Sequence, residues 1–221
     1  MPQIYLISGT KAVQQFINNL RSSLQQALPG RDAQYRMAPS RRERVGEAAP
    51  AEGQFRPSAV MILFCVDDDS SLYIPLIERM PYHGVHSAQI SLPGGKFDRT
   101  DVNLERTALR ECFEEIGIQD IEVLGELTQL HISVSGFLVQ PFIGVCKTTN
   151  PSMILAEREV KSTVKLKLED LLNDSNVETG TLEVKDRYKI DTPWFNVGGH
   201  KVWGATAMIL SELKELIRTI S

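Results

Sequence analysis

Three glutamates that share one helical turn are the residues whose types and spacing most directly suggest chemistry. Glu111, Glu114 and Glu115 stand at i, i+3 and i+4 of a segment that reads as one helix. At about 100° per residue, the three side chains fall within an arc of roughly 100°. Like charges at this spacing repel one another, so a bound divalent cation is the simplest compensation, because hard cations prefer oxygen ligands. A solvated acidic helix face is the alternative interpretation.

A Pro-Gly-Gly corner at 93–95 precedes this helix and must place its backbone near the carboxylates. Glycine adopts conformations closed to other residues and lets another group approach the main chain closely. The pattern predicts a helix that begins at Val102 or Asn103 and ends at Gly117 as its C-cap. Its core-facing stripe is predicted to consist of Leu109, Phe113 and Ile116.

The composition sets limits on the partners. The chain has 221 residues and a formal net charge of −4, with a sequence pI near 5.6. These values fit one domain of ordinary size, or one domain with an appendage, and they argue against a nucleic-acid or membrane-surface binder, whose footprint would be basic. A small anionic substrate is compatible, because a bound divalent cation reverses the local field of an acidic site.

The cysteines and the N-terminus bear on location. Cys65, Cys112 and Cys146 lie in apolar surroundings without metal-ligand spacing, which predicts reduced thiols in a cytoplasmic protein. No run of about 18 to 20 apolar residues suggests a membrane span. The first 31 residues contain no Asp or Glu, so a mitochondrial presequence is the alternative.

Periodicity divides the chain into three parts: residues 1–30 as an N-terminal helical extension, 31–57 as a loop or linker packed on the domain, and 58–221 as the main domain. The helix is predicted over Lys11–Leu28 and stops at Pro29-Gly30. Its apolar stripe packs on the domain edge, or alternatively forms a homodimer contact.

The main domain mixes strands and helices without regular βαβ alternation, which predicts an α+β fold with a mixed or antiparallel sheet. A helix at Ala205–Arg218 is predicted to close the chain, and a turn at 191–193 to join the last two strands. The other predicted elements are strands at Ala59–Val66, Tyr73–Arg79, Ile121–Leu127, Leu130–Val134, Phe137–Cys146, Thr181–Ile190 and Trp194–Val202, and a helix at Leu166–Leu172.

The segment from Gly95 through Arg110 to Ile118 resembles the Nudix box, G-x5-E-x7-R-E-U-x-E-E-x-G-U, where U is aliphatic. Asp101 stands where the box has its first Glu, and eight residues rather than seven separate it from Arg110. The run GGKFDRTDVNLERTALRE resembles the coenzyme A diphosphatase branch of that family, as does RMPYHGVHSAQISLPGG upstream. The branch pattern differs at His83, Gly84 and Ala88.

This resemblance implies a Nudix-type α/β/α sandwich with a mixed sheet, plus the N-terminal helix. It also implies a metal-dependent hydrolase that cleaves the pyrophosphate bond of coenzyme A or its derivatives to 3′,5′-ADP and 4′-phosphopantetheine. Mg²⁺ or Mn²⁺ would be held by Glu111, Glu115, Glu114 and the carbonyl of Gly95, with Arg110 orienting Glu111. Glu114 and Glu159 are alternative general bases.

The substrate side of the resemblance implies roles for Arg79 and Gln89. Within the basic segment 40–44, Arg41 and Arg42 are either a solvated patch or a phosphate clamp, since arginine forks match phosphate geometry. Another small nucleoside diphosphate derivative, such as ADP-ribose or a dinucleotide, is the alternative substrate. A non-catalytic Nudix ligand-binding module is a further alternative.

Overall fold

The computed structural model describes residues 9–40, 55–80, 89–133, 135–184 and 188–220. Its helices are α1 (Thr10–Ser23), α2 (Gly30–Tyr35), α3 (Leu104–Ile116), α4 (Leu168–Leu172) and α5 (Gly204–Arg218). Its strands are β1 (Arg56–Val66), β2 (Leu72–Arg79), β3 (Ile90–Ser91), β4 (Gly94–Lys96), β5 (Ile121–Glu126), β6 (Leu130–Ile132), β7 (Phe137–Cys146), β8 (Val160–Lys167), β9 (Val177–Val184), β10 (Tyr188–Val197) and β11 (His200–Trp203).

A mixed eight-stranded sheet forms the centre, with β1 parallel to β7 and its other pairings antiparallel. The long strand β1 has different partners along one edge. Its N-terminal half pairs with β4, and its C-terminal end pairs with β2. This change of partner places the Gly94–Gly95 backbone directly beside Ala59 and Val60. Strands β9, β10 and β11 form a separate antiparallel sheet.

Helices cover both faces of the central sheet because apolar residues of β1 alternate between two cores. Met61, Leu63 and Cys65 pack in the cluster that contains the buried face of α3. Ile62 and Phe64 belong to the opposite cluster, which contains α1 and α5. Continuous burial of a strand on both faces is typical of a sheet enclosed between helices. The predicted α+β fold, an α/β/α sandwich with a mixed sheet, is therefore confirmed.

The apolar stripe of α1 is buried in the domain's own core. Phe16 meets Phe64 edge to face at 5.7 Å between ring centroids, and Val13, Ile17, Leu20 and Leu24 join the same cluster. The helix thus packs on the domain, although it ends at Ser23 rather than at Leu28. The homodimer and the three-part division of the chain stay predictions.

Several secondary-structure predictions were wrong. The predicted loop 31–57 contains most of α2, a six-residue helix too short for a periodic signal, in which Ala33 and Gln34 are buried. Strand β8 continues to Lys167, so the helix after it is shorter than predicted. The predicted turn at 191–193 lies within β10, where Pro193 is tolerated because β11 pairs with β10 only from Trp194 onward.

The predicted strands Thr181–Ile190 and Trp194–Val202 were also wrong, because the first spans parts of β9 and β10 and the second spans parts of β10 and β11 with a turn at 198–199. The other predicted strands and the last helix follow the prediction closely. The bounds of β7 coincide with the predicted strand Phe137–Cys146, and α5 begins one residue before the predicted helix. The observed β6 ends at Ile132, and Val134 lies outside the described residues. Among the helices of the described residues, none has the length and apolarity needed to cross a bilayer.

Buried Glu212 joins three parts of the chain and has a measurable structural role. Its carboxylate accepts hydrogen bonds from Gly30 N (3.1 Å), Gln34 Nε2 (2.8 Å) and Thr128 N (3.3 Å). Glu212→Ala removes these three bonds in the interior, so we expect the free energy of unfolding to fall by about 2–4 kcal/mol. Denaturant unfolding followed by circular dichroism measures the change.

Glu215→Ala on the same helix is the matched control. Its carboxylate pairs with Arg36 and Arg218 at the surface, so its loss should cost less than about 1 kcal/mol. Equal costs for the two variants would contradict the proposed role of Glu212.

Candidate active site

Helix α3 carries the glutamates, and both of its ends are fixed by local hydrogen bonds. The Asn103 side chain accepts a hydrogen bond from Arg106 N at 2.9 Å, which caps the N-terminus. Gly117 has φ 76° and donates to Phe113 O at 2.8 Å, which confirms the predicted C-cap. The helix begins at Leu104, close to the predicted start.

The buried face of α3 differs from the predicted stripe. Ile116 is buried, but Leu109 is only partly buried and Phe113 is 50% exposed. The buried face instead carries Ala108, Cys112 and Ile116 at i, i+4 and i+8, together with Glu115. The helix is therefore rotated relative to the apolar pattern, and this rotation places one carboxylate in the interior.

Glu115 is 1% exposed and lies against the Gly-Gly corner. Gly94 N donates to its Oε2 at 2.8 Å, and Arg79 Nη2 lies 3.1 Å from its Oε1. This second contact is an ion pair without hydrogen-bond geometry, so Oε1 accepts no hydrogen bond within the described residues. Burial raises the pKa of Glu115 to about 7, and the charge of Arg79 opposes that shift.

The two glycines of the corner are required for different reasons. A Cβ at Gly94, whose φ is 155°, would overlap the backbone oxygen of Ala59 in the neighbouring strand. A Cβ at Gly95 would overlap the carboxyl group of Glu111. The β4 backbone is thus the surface against which both Glu111 and Glu115 pack, as the corner predicts.

Arg110 forms ion pairs with the two more exposed glutamates of the turn, Glu111 and Glu114. Its Nη1 lies 2.9 Å from Glu111 Oε1 and 2.7 Å from Glu114 Oε2, and its Nη2 donates to Lys96 O at 3.1 Å. Burial raises the pKa of Glu111, while Arg110 opposes the rise. The sequence predicted that Arg110 would hold one carboxylate, and in the structure it contacts several.

Asp101 belongs to the candidate site, although it was not among the predicted site residues. Its two carboxylate oxygens accept from Arg110 Nε and Nη2, both at 3.0 Å, in a bidentate pair. Thr107 Oγ1 and Asp98 N also donate to it. Arg110 lowers the pKa of Asp101 to about 2. The available signal was its position at the first acidic residue of the box.

Only some of the other predicted site residues lie within the part of the chain that the structure describes. Arg79 lies beside Glu115, and Gln89 accepts from Arg79 N through its backbone oxygen at 3.2 Å. Glu159 is exposed, its backbone oxygen accepts from Met80 N at 2.8 Å, and its charge acts on Glu115. Arg41 and Arg42 lie outside the described residues, as do His83, Gly84 and Ala88.

The carboxylates fit a divalent cation by the chemistry of their oxygen donors. Within the described residues, no three His, Cys, Asp or Glu side chains are grouped to hold a metal ion, and arginines engage each of the three glutamates. Yet Oε1 of Glu115 is a buried carboxylate oxygen without a hydrogen bond, and Glu111 packs on the adjacent backbone. Hard oxygen donors of this kind suit Mg²⁺ or Mn²⁺.

The Asp101–Arg110 pair predicts a defined pH dependence of stability. The folded pKa of about 2 lies below the value of about 3.9 expected in the unfolded chain. The stabilisation is therefore fully present above about pH 4 and is lost as the pH falls towards 2. Asp101→Asn should lower the free energy of unfolding near pH 6, with a deficit that shrinks between pH 4 and 2.

Denaturant unfolding over that pH series measures the deficit. Asp120→Asn is the matched control, since it removes the same charge from an exposed pair with Lys147. A deficit for Asp101→Asn that stays constant down to pH 2 would contradict the assignment.

Comparison with known proteins places these features in a family. The Nudix domain family model matches residues 55–180. Nudix hydrolase 15, mitochondrial, of Arabidopsis thaliana is 32% identical over 165 residues, which are 71% of this chain and 58% of that protein. The uncharacterized Nudix hydrolase NudL of Salmonella paratyphi B is 36% identical over 141 residues, 62% of this chain and 71% of that protein.

A solved MutT/nudix family protein from Enterococcus faecalis is similar over 95% of this chain and 75% of that chain, with 19% identity and a TM-score of 0.49. The match to the plant relative spans just over half of that protein's length. The family model covers more than half of the present chain and includes the glycine corner, Asp101, Arg110 and all three glutamates. The chain therefore belongs to the Nudix family, as the segment from Gly95 to Ile118 predicts.

Proposed function

We propose that this protein hydrolyses the pyrophosphate bond of coenzyme A or its derivatives with the help of Mg²⁺ or Mn²⁺. The observation that carries the hydrolytic part is the buried carboxylate of Glu115, whose Oε1 accepts no hydrogen bond within the described residues, beside Glu111 and the Gly94–Gly95 backbone. Nudix hydrolases generally use divalent metal ions, and these groups are suitable ligands.

Glu111 and Glu115 would hold the cation, with Glu114 and the carbonyl of Gly95 as further ligands. When bound, the cation would neutralise phosphate charge and lower the pKa of a water molecule that it binds. Arg110 orients Glu111 through the 2.9 Å contact, and Asp101 in turn fixes Arg110. The contacts from Asp101 through Arg110 to Glu111 thus fix the orientation of Glu111, one of the proposed metal ligands, before substrate binds.

Two carboxylates are candidates for the group that accepts the proton from the attacking water. Glu114 is 54% exposed at its side chain but is held by Arg110 at 2.7 Å. Glu159 is exposed on the loop that contacts Met80. The charge of Glu159 acts on Glu115, and Glu114 shares Arg110 with Glu111, so we assign either carboxylate as the general base.

The coenzyme A assignment rests on sequence. The spacing of Gly94, Gly95, Asp98 and Asp101 before the TALRE run resembles the coenzyme A diphosphatase branch. We assign substrate contacts to Arg79 and Gln89, and to the phosphate-matching forks of Arg41 and Arg42.

ADP-ribose or a dinucleotide is the second candidate substrate. It is favoured by Gly84, which stands where the coenzyme A branch has an arginine, and by the neighbouring differences at 83 and 88. A non-catalytic module is disfavoured because Glu111, Glu114 and Glu115 are all present. A cytoplasmic location is also proposed, and it agrees with three buried free thiols.

The decisive experiment is a substrate assay on the purified 221-residue chain. Incubation with coenzyme A and Mg²⁺ or Mn²⁺ should release 3′,5′-ADP, detected by chromatography, and a chelator should abolish the product. Glu115→Gln should lower kcat by at least about 100-fold, as expected for loss of a metal ligand. Equal or faster cleavage of ADP-ribose would instead establish the second candidate.

Gly95→Ala tests the contact between the corner and Glu111. The added methyl group would overlap the Glu111 carboxyl and push it aside, so we expect a loss of kcat comparable to that of Glu111→Gln, roughly 10- to 100-fold or more. Steady-state kinetics of the three proteins measure this, with circular dichroism as the check on folding. A folded Gly95→Ala variant with wild-type kcat would contradict the arrangement.

A further inference from the structure

Arg79 at the end of β2 has three contacts that converge on the candidate metal site. Its Nε donates to Ser91 Oγ at 3.2 Å, and its Nη2 donates to Gly94 O at 3.0 Å. The same Nη2 lies 3.1 Å from Oε1 of Glu115. Its side chain is 25% exposed, so one end is open to solvent while the other reaches the buried carboxylate.

Arg79 Nη2 contacts the carboxylate of Glu115, which we assign as a ligand of the divalent cation. Oε1 of Glu115 is the oxygen that accepts no hydrogen bond within the described residues, and Nη2 approaches it without hydrogen-bond geometry. The contact between Arg79 and Glu115 is therefore mainly one of charge. A buried carboxylate without a nearby positive charge is costly, and in this structure Arg79 supplies that charge.

Among the charged groups described around Glu115, Arg79 is the one that balances its negative charge. The acidic groups whose charges act on Glu115 are Glu111 and Glu159. Arg110 is committed to Asp101, Glu111 and Glu114. Among the ion pairs of the described residues, the contact with Arg79 is the one made by Glu115.

We propose that Arg79 is a positioning residue that acts as the counter-cation of Glu115 in the metal-free protein and competes with the divalent cation for Oε1. The inference rests on the metal site of the proposed function. On metal binding, the guanidinium gives up Oε1 while its bonds to Ser91 Oγ and Gly94 O keep it at the rim of the site. Two positive charges close to one carboxylate repel each other, so Arg79 weakens metal binding in the absence of substrate.

Metal affinity gives the test a readout that does not depend on catalysis. Mn²⁺ titration by isothermal calorimetry at pH 8.5 keeps Glu115 ionised and is applied to the wild type, Arg79→Gln and Arg106→Gln. Arg79→Gln should bind Mn²⁺ about threefold to tenfold more tightly, since a competing charge is removed. Arg106→Gln, an exposed arginine of the same helix as the glutamates, should bind as the wild type does.

Unchanged or weaker Mn²⁺ binding by Arg79→Gln would overturn the inference. Arg79→Lys provides a second variant if the glutamine variant does not fold without metal. It retains the charge and should bind Mn²⁺ within about twofold of the wild type, and tightening in this variant would equally overturn charge competition.

Thermal unfolding supplies an independent readout. With chelator present, Arg79→Gln should have a lower Tm than the wild type because Glu115 loses its counter-cation. Added Mn²⁺ should then raise its Tm by more than it raises the wild-type Tm. If the wild type bound no Mn²⁺, the proposed metal site would be disproved and this inference with it. If the protein bound Mn²⁺ but did not cleave coenzyme A, only the proposed substrate would be disproved.

Discussion

The close approach of two glutamates to the backbone of β4 is the constraint on which the rest of the site depends. Gly94 N bonds Glu115, and the Glu111 carboxyl packs where a Cβ of Gly95 would be. The distance between helix and strand is set by β1, because β4 pairs with its N-terminal half while α3 packs on Met61 and its neighbours on one face. Neither glycine can be replaced without moving the helix, the strand or a carboxylate.

The negative charge of the acidic turn is divided between two arginines that come from different elements. Arg110 belongs to α3 itself and is anchored at the N-terminal end of the helix by the bidentate pair with Asp101. Arg79 comes from β2 and reaches Glu115 past Gly94. The electrostatics of the site therefore hold α3, β4 and β2 together, and a bound cation would change the balance for all three.

Sequence signals were reliable where a short segment fixes its own structure. Gly117 needs a left-handed conformation at a helix end, and the corner at 94–95 needs to be free of side chains, so both can be read from residue type and spacing. Sequence signals failed where contacts with distant parts of the chain determine the local structure. The register of β10 against β9 and β11 overrides the turn preference of Pro193, and the tertiary packing of α3 exposes Phe113. Pairing of Asp101 with Arg110 depends on a loop geometry that no periodicity encodes.

Two buried glutamates differ in how completely their oxygens are hydrogen-bonded. Glu212 is 0% exposed, and its two oxygens accept from Gly30 N, Thr128 N and Gln34 Nε2. Glu115 is buried to the same degree, but only Oε2 accepts a hydrogen bond within the described residues, and Oε1 faces a guanidinium. Burial raises the pKa of both. A carboxylate whose hydrogen bonds are complete holds a fold together, whereas a buried one with an oxygen that accepts no hydrogen bond is a candidate for binding or chemistry.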